Sequence, residues 1–146
     1  MKASRADLYN TLRASLEAQF ATGKIFFDKL REKGEPYRFE RWDVDTNGKL
    51  CMYYSFASRG GDRRNEKRIP LPELVAALDV LARTGALTRP VFKATCPVAQ
   101  SAGPCGFAVA GRCLELLGVA NYAGSRFGFR LVDKDRALGL LGAVGR

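Results

Sequence analysis

The chain has 146 residues, 47% of them hydrophobic, and its 24 lysines and arginines outnumber 15 acidic residues to give a formal charge of +9. That size buries one core or two small ones and excludes a large multidomain enzyme. Histidine is absent, which removes the commonest general base and metal ligand at neutral pH. No apolar run approaches the roughly 18 residues of a membrane helix, and residues 1–20 lack the continuous apolar core of a signal peptide. The reading is a cytoplasmic protein, without a membrane partner, whose extended positive surface suits phosphate-bearing or acidic partners.

Cys51, Cys96, Cys105 and Cys113 are separated by 45, 9 and 8 positions, which fits neither a CxxC redox pair nor zinc-ligand spacing. Free buried thiols are expected, with no metal and no cofactor. Cys105 precedes a predicted helix, where open N–H groups favour a thiolate. It has no histidine to activate it, so an inert thiol and a non-catalytic protein are expected.

In chain order, Ser4 and Asp7 open a helix that carries Leu8, Leu12, Leu16 and Phe20 on one face. Residues 21–23 interrupt it, and a second short helix is predicted with Phe26, Phe27 and Leu30 inward, running to Lys33 before Gly34 and Pro36. From Tyr37 the period changes to two. Tyr37 to Val44 and Leu50 to Phe56 form a hairpin about Asp45-Thr46-Asn47-Gly48. The run from Asp43 to Gly48 matches the opening of a calcium loop, but its twelfth position is Tyr54 where a bidentate glutamate is required, so the turn reading prevails. Ser58 to Arg68 then carries Arg59, Arg63, Arg64, Lys67 and Arg68, either as a solvated linker or as a phosphate-contacting loop.

Pro70 and Pro72 introduce a helix with Leu74, Leu78 and Leu81 on one face, ended by Thr84-Gly85. Thr88 caps a short helix through Arg89 and Lys93, which Pro97 terminates. After Pro104, Phe107, Ala110, Leu114 and Leu117 mark a third helix stopped by Gly118, with Ala108, Gly111, Arg112 and Glu115 on its outward side. Val119 to Tyr122 and Phe127 to Val132 form a second hairpin, in which Phe127, Phe129 and Leu131 face one way and Arg130 the other. Residues 133–141 form a weak terminal helix that packs on the first half or on a second subunit.

The order of these elements over Pro72 to Val132 resembles the winged helix-turn-helix superfamily of DNA-binding domains, although a short first strand common between helices in that superfamily is hard to find in this sequence. The fold expected is α+β, with N-terminal helices and a β-hairpin in residues 1–69 joined to a winged-helix-like lobe in residues 70–146. The resemblance implies a DNA-binding homodimer active in transcription regulation. Arg89, Lys93, Arg112, Arg126 and Arg130 would form its surface on double-stranded DNA, with Arg63, Arg64 and Lys67 as further phosphate contacts. Arg112 would pair with guanine and Ala108 would meet a thymine methyl. Two other binding functions fit the same charge. One is an adaptor for an acidic protein; the other is RNA binding, if Tyr37, Trp42 and Tyr53 face water and stack bases.

Overall fold

The computed structural model describes residues 5–30, 34–57 and 63–142. Helix α1 (Arg5–Ala21) buries Leu12, Leu16 and Phe20, as their four-residue spacing requires. It ends at Gly23, whose φ of +92° suits glycine. The Ser4 cap and the segments 31–33 and 58–62 lie outside the described residues.

The predicted second helix is corrected to a strand. Phe26 and Phe27 form β1 (Phe26–Phe27), which pairs antiparallel with β2 (Tyr37–Val44), Phe27 opposite Tyr37. Two adjacent phenylalanines satisfy a helical or an extended pattern. The alternation decides it, because Phe27 is buried while Phe26 is exposed. β3 (Leu50–Ala57) pairs with β2 across the predicted turn, where the Asp45 N–H donates to Lys49 O at 2.9 Å and Gly48 has φ +77°.

The basic stretch after it is also more ordered than a linker. Arg64 to Pro70 is β4 (Arg64–Pro70), antiparallel to β3, and completes a four-stranded sheet in the order β1-β2-β3-β4. Its two arginines find acids across the sheet. Arg64 lies 3.8 Å from Glu40 and Arg68 lies 3.3 Å from Asp45, while Glu66 pairs with Arg41. Such cross-strand pairs stabilise an edge whose sequence reads as a solvated loop.

β4 runs directly into α2 (Leu71–Thr84), with Pro72 in the first turn, where no N–H is missed. Gly85, at φ +86°, closes the helix by donating to Leu81 O at 2.8 Å. Then follow β5 (Ala86–Leu87), α3 (Arg89–Thr95), α4 (Pro97–Ser101), α5 (Cys105–Leu116), β6 (Ala120–Tyr122), β7 (Phe129–Leu131) and α6 (Lys134–Leu140). Pro97 starts a helix as well as ending one. The Glu73 carboxylate reaches back from α2 to accept the Val98 and Ala99 N–H groups at 2.9 Å each, a long-range cap for α4.

The two-residue strand that the sequence hides is present. β5 pairs with β7, and β7 with β6, in a three-stranded antiparallel sheet of order β5-β7-β6. One hydrophobic cluster runs from Leu12 and Phe27 through Tyr54 and Ile69 to Phe92, Leu114 and Phe129, so the two halves share a core across Pro70. The molecule is a mixed α+β structure.

Candidate nucleic-acid interface

The sequence-predicted basic residues fall into two chemical groups. Arg112 and Arg64 are already engaged. Arg112 donates from Nη1 to Glu115 at 2.8 Å, from Nε to Asp28 O at 3.0 Å and from Nη2 to Lys29 O at 3.4 Å. Glu115 spends its second oxygen on the Tyr122 N–H at 2.8 Å. Arg112 is therefore a clamp between α5 and residues 28–29 rather than a group presented to a base. The Arg64 Nε donates to Ser55 Oγ at 2.8 Å.

The outward face expected on α5 is covered. Ala108 is 4% exposed, and it lines a cleft that also contains Lys29, Leu30 and Tyr37. Gly111 is buried under the Phe129 ring, which occupies the space a Cβ would need. Small residues stand on this face because protein packs against it, one of the uses that alanine and glycine permit.

A second group faces water without a carboxylate partner among the described residues. Arg89 and Lys93 are exposed one helical turn apart on α3, and Arg126 and Arg130 are exposed on the β6–β7 hairpin. Arg89 is held at its root: its guanidinium lies 4.8 Å from the Phe107 ring centroid, and Nη1 reaches Pro104 O at 3.4 Å. A cleft of about 420 Å³ lies between it and the hairpin, lined by Leu30, Arg89, Tyr122, Gly124 and Ser125. This cleft joins Arg89 of α3 to the hairpin turn at Gly124 and Ser125, which Arg126 follows in the chain. Lys67 approaches the same region from β4. Its Nζ lies over Gly103, next to the Pro104 that Arg89 touches, and 5.2 Å from the Phe56 ring centroid. Arg63 is exposed where the chain enters β4.

The acids of the first half confirm a structural use of charge. Asp45 Oδ1 accepts the Asn47 and Lys49 N–H groups at 2.9 and 3.0 Å, and Oδ2 faces Arg68. The Lys49 N–H chiefly holds its carboxyl below the usual range. Asp45 thus spends one oxygen on the turn and the other on Arg68. Burial acts to raise the Glu40 carboxyl, but hydrogen bonds from Ser55 and Arg38, with the charges of Arg38 and Arg64, take it below its ordinary value. Among the described residues no group of three or more cysteine or acidic side chains is placed to hold a metal ion. Nor is any helix there long and apolar enough to cross a membrane.

The thiols are free, and Cys51, Cys96 and Cys113 are buried. Burial pushes the Cys51 thiol up to about 11 and the Cys96 thiol to about 12. Cys105 alone is partly exposed, in a cleft of about 360 Å³ with Lys29, Tyr37 and Arg89. Of the aromatics considered for base stacking, Tyr37 is buried, Trp42 packs on Phe20 and Phe39, and half-buried Tyr53 sits beneath the Arg41 guanidinium at 4.4 Å. The aromatic left open beside cations is Phe127, 49% exposed. Its period-two match to Phe129 and Leu131 disguised it; its place at a glycine-flanked turn was the signal available.

These features define a mixed α+β protein in which Arg89 and Lys93 on α3 and Arg126 and Arg130 on the β6–β7 hairpin are exposed. No protein-family model, curated protein or solved structure matches the chain.

Proposed function

We propose that the protein binds nucleic acid without catalysing a reaction, docking on phosphates through Arg89, Lys93, Arg126 and Arg130 on a winged-helix-like scaffold. The observation that carries this reading is the division of the cations. Among the described residues Arg38, Arg41, Arg64, Arg68 and Arg112 are each matched to a carboxylate, whereas the four on α3 and the hairpin are not. Exposed Lys24, Lys49, Lys134 and Arg136 also lack a carboxylate, so the reading rests on the four standing on two elements that share a cleft. Unmatched cations on one edge raise the local potential and gain from releasing the counterions of a polyanion. The order of α2, β5, α3, α5, β6 and β7, with α4 added between α3 and α5 and β7 central in its sheet, supports the scaffold. The covered face of α5 argues for an edge that docks on the DNA backbone with little base reading.

Fluorescence anisotropy with a mixed-sequence duplex at two salt concentrations tests this reading. The R89A/K93A/R126A/R130A variant, folded by circular dichroism, is expected to lose most of the affinity and to flatten the slope of log K against log salt by about 3 to 4. Unchanged affinity and slope reject the edge. The alternative is an adaptor for an acidic protein, which the covered α5 also favours, because such a partner needs no groove-reading helix. Absence of wild-type binding to duplex and single strand at low salt, with retention on an acidic polypeptide, moves the assignment to the adaptor. A homodimer would double the edge; sedimentation showing only a monomer at micromolar concentration removes that element.

A further inference from the structure

We infer that the tip of the β6–β7 hairpin is a stacking platform for an unpaired nucleobase, with Phe127 as the platform and Arg126 and Arg130 as its phosphate contacts. This rests on the nucleic-acid reading above and narrows it to single-stranded segments. The tip is built to hold its shape. The Gly128 N–H donates to Gly124 O at 2.8 Å, and the Ala123 N–H donates to Gly128 O at 2.7 Å. Gly124 and Gly128 take φ of +94° and +68°, which L side chains rarely adopt.

Gly128 is further pinned against the end of β5, where an added Cβ would collide with Leu87 O and approach Thr88 Cα to 2.9 Å. With its neighbour held inward, Phe127 is turned outward. Phe127 is 49% exposed, and the guanidinium carbons of Arg126 and Arg130 lie over its ring, 5.5 and 5.7 Å from the centroid, where a stacking base would take the place of one of them.

An exposed ring flanked by unmatched cations is the pairing by which proteins hold single strands: the face stacks on a base and the charges meet the backbone. Phe26 shows that exposure alone is insufficient. It is 54% exposed, but it lines a cleft with Asp28 and Glu115, and the one cation there, Arg112, is already paired. The covered α5 also removes the usual competitor for this edge, a helix seated in the major groove of a duplex.

Labelled oligothymidylate of about 12 nucleotides, within the site sizes of single-strand binders, and a duplex of equal length would be titrated against wild type, Phe127→Ala, Phe127→Trp and Arg126→Ala/Arg130→Ala. Phe127→Ala is expected to weaken single-strand binding about tenfold with an unchanged salt slope and to leave duplex binding nearly intact. Phe127→Trp keeps the affinity, and its emission is quenched by the oligonucleotide. The double arginine variant lowers the salt slope by about 1.4 on the single strand. Wild-type binding that Phe127→Ala leaves unchanged overturns the platform while sparing phosphate docking. Equal weakening on both nucleic acids also overturns it, in favour of a wedge into duplex. No binding of either by wild type at low salt removes the nucleic-acid reading and this inference with it.

Discussion

Substitution of Gly111 by alanine reports which way α5 faces, because the two orientations predict opposite signs. On an open helix face, alanine removes the excess backbone freedom of glycine and stabilises by about 1 kcal/mol. In this fold the added methyl meets Cδ2, Cε2 and Cζ of Phe129 well inside contact distance. The ring has little room to retreat. Phe129 is buried, with its centroid 5.4 Å from that of Phe107 and 5.1 Å from that of Tyr122. Overpacking a closed site costs about 1–3 kcal/mol, and three ring atoms in collision place this one near the top. Offset by the helix-propensity gain, the net loss is about 2 kcal/mol, a fall in Tm of about 4–8 °C for a chain of this length. Thermal and urea unfolding followed by circular dichroism measure it. Phe129→Leu supplies the control: introducing alanine at 111 into that background should cost at least about 1 kcal/mol less than in wild type, a coupling between touching residues. A Gly111→Ala protein as stable as wild type, or more so, refutes the covered face and returns α5 to the groove.

Glu73→Ala removes the carboxylate that accepts from Val98 and Ala99, and a loss of about 2 kcal/mol in urea unfolding is expected, since both N–H groups lose a charged partner; a loss within about 0.5 kcal/mol counts against the long-range cap. At alkaline pH the buried thiols set a limit. Cys51 and Cys96 ordinarily titrate at 9.0 and in the fold at about 11 and about 12, so the unfolded chain loses protons first. Their stabilisation is complete below pH 9 and is lost as pH rises through that window. The urea midpoint should fall from pH 8 to pH 10, and the fall should shrink in Cys51→Ala/Cys96→Ala. Under native conditions a small alkylating reagent should label Cys105 ahead of the other three cysteines, read by peptide mass; equal slow labelling of all four rejects its distinct accessibility.

What the sequence made legible was periodic and local. Leu12, Leu16 and Phe20 declare the buried face of α1, and Asn47-Gly48 declares the β2–β3 turn, because neither needs a distant partner. β5 was not legible. Ala86 and Leu87 are too short to alternate, and they are a strand only because Arg130 and Phe129 lie opposite them. β4 was read as a linker or a phosphate-contacting loop for the same reason: its charges look solvated until Glu40, Asp45 and Arg41 are brought alongside. Ala108 and Gly111 misled in the other direction. A small residue is compatible with an open face or with a closely covered one, and the ring that covers Gly111, Phe129, comes from elsewhere in the chain. The basic residues were legible as a set, but their division into engaged and open cations was not.

That division also sets the energetics of the two ways to meet a duplex. Seating α5 in a groove would first require release of the clamp from Arg112 to Asp28 O and Lys29 O, together with the β1 segment packed on the helix. Two hydrogen bonds from a charged donor are worth about 3 kcal/mol together, and re-exposing the buried Phe27 adds about 2. A cost of about 5 kcal/mol equals the lower end of domain stability and removes more than three decades of affinity. Docking by Arg89, Lys93, Arg126 and Arg130 requires none of this, because those side chains already face water. Phosphate docking of the proposed kind would therefore leave the fold intact, and a gain in affinity on Arg112→Ala would mean that the clamp restrains a second, groove-seated mode.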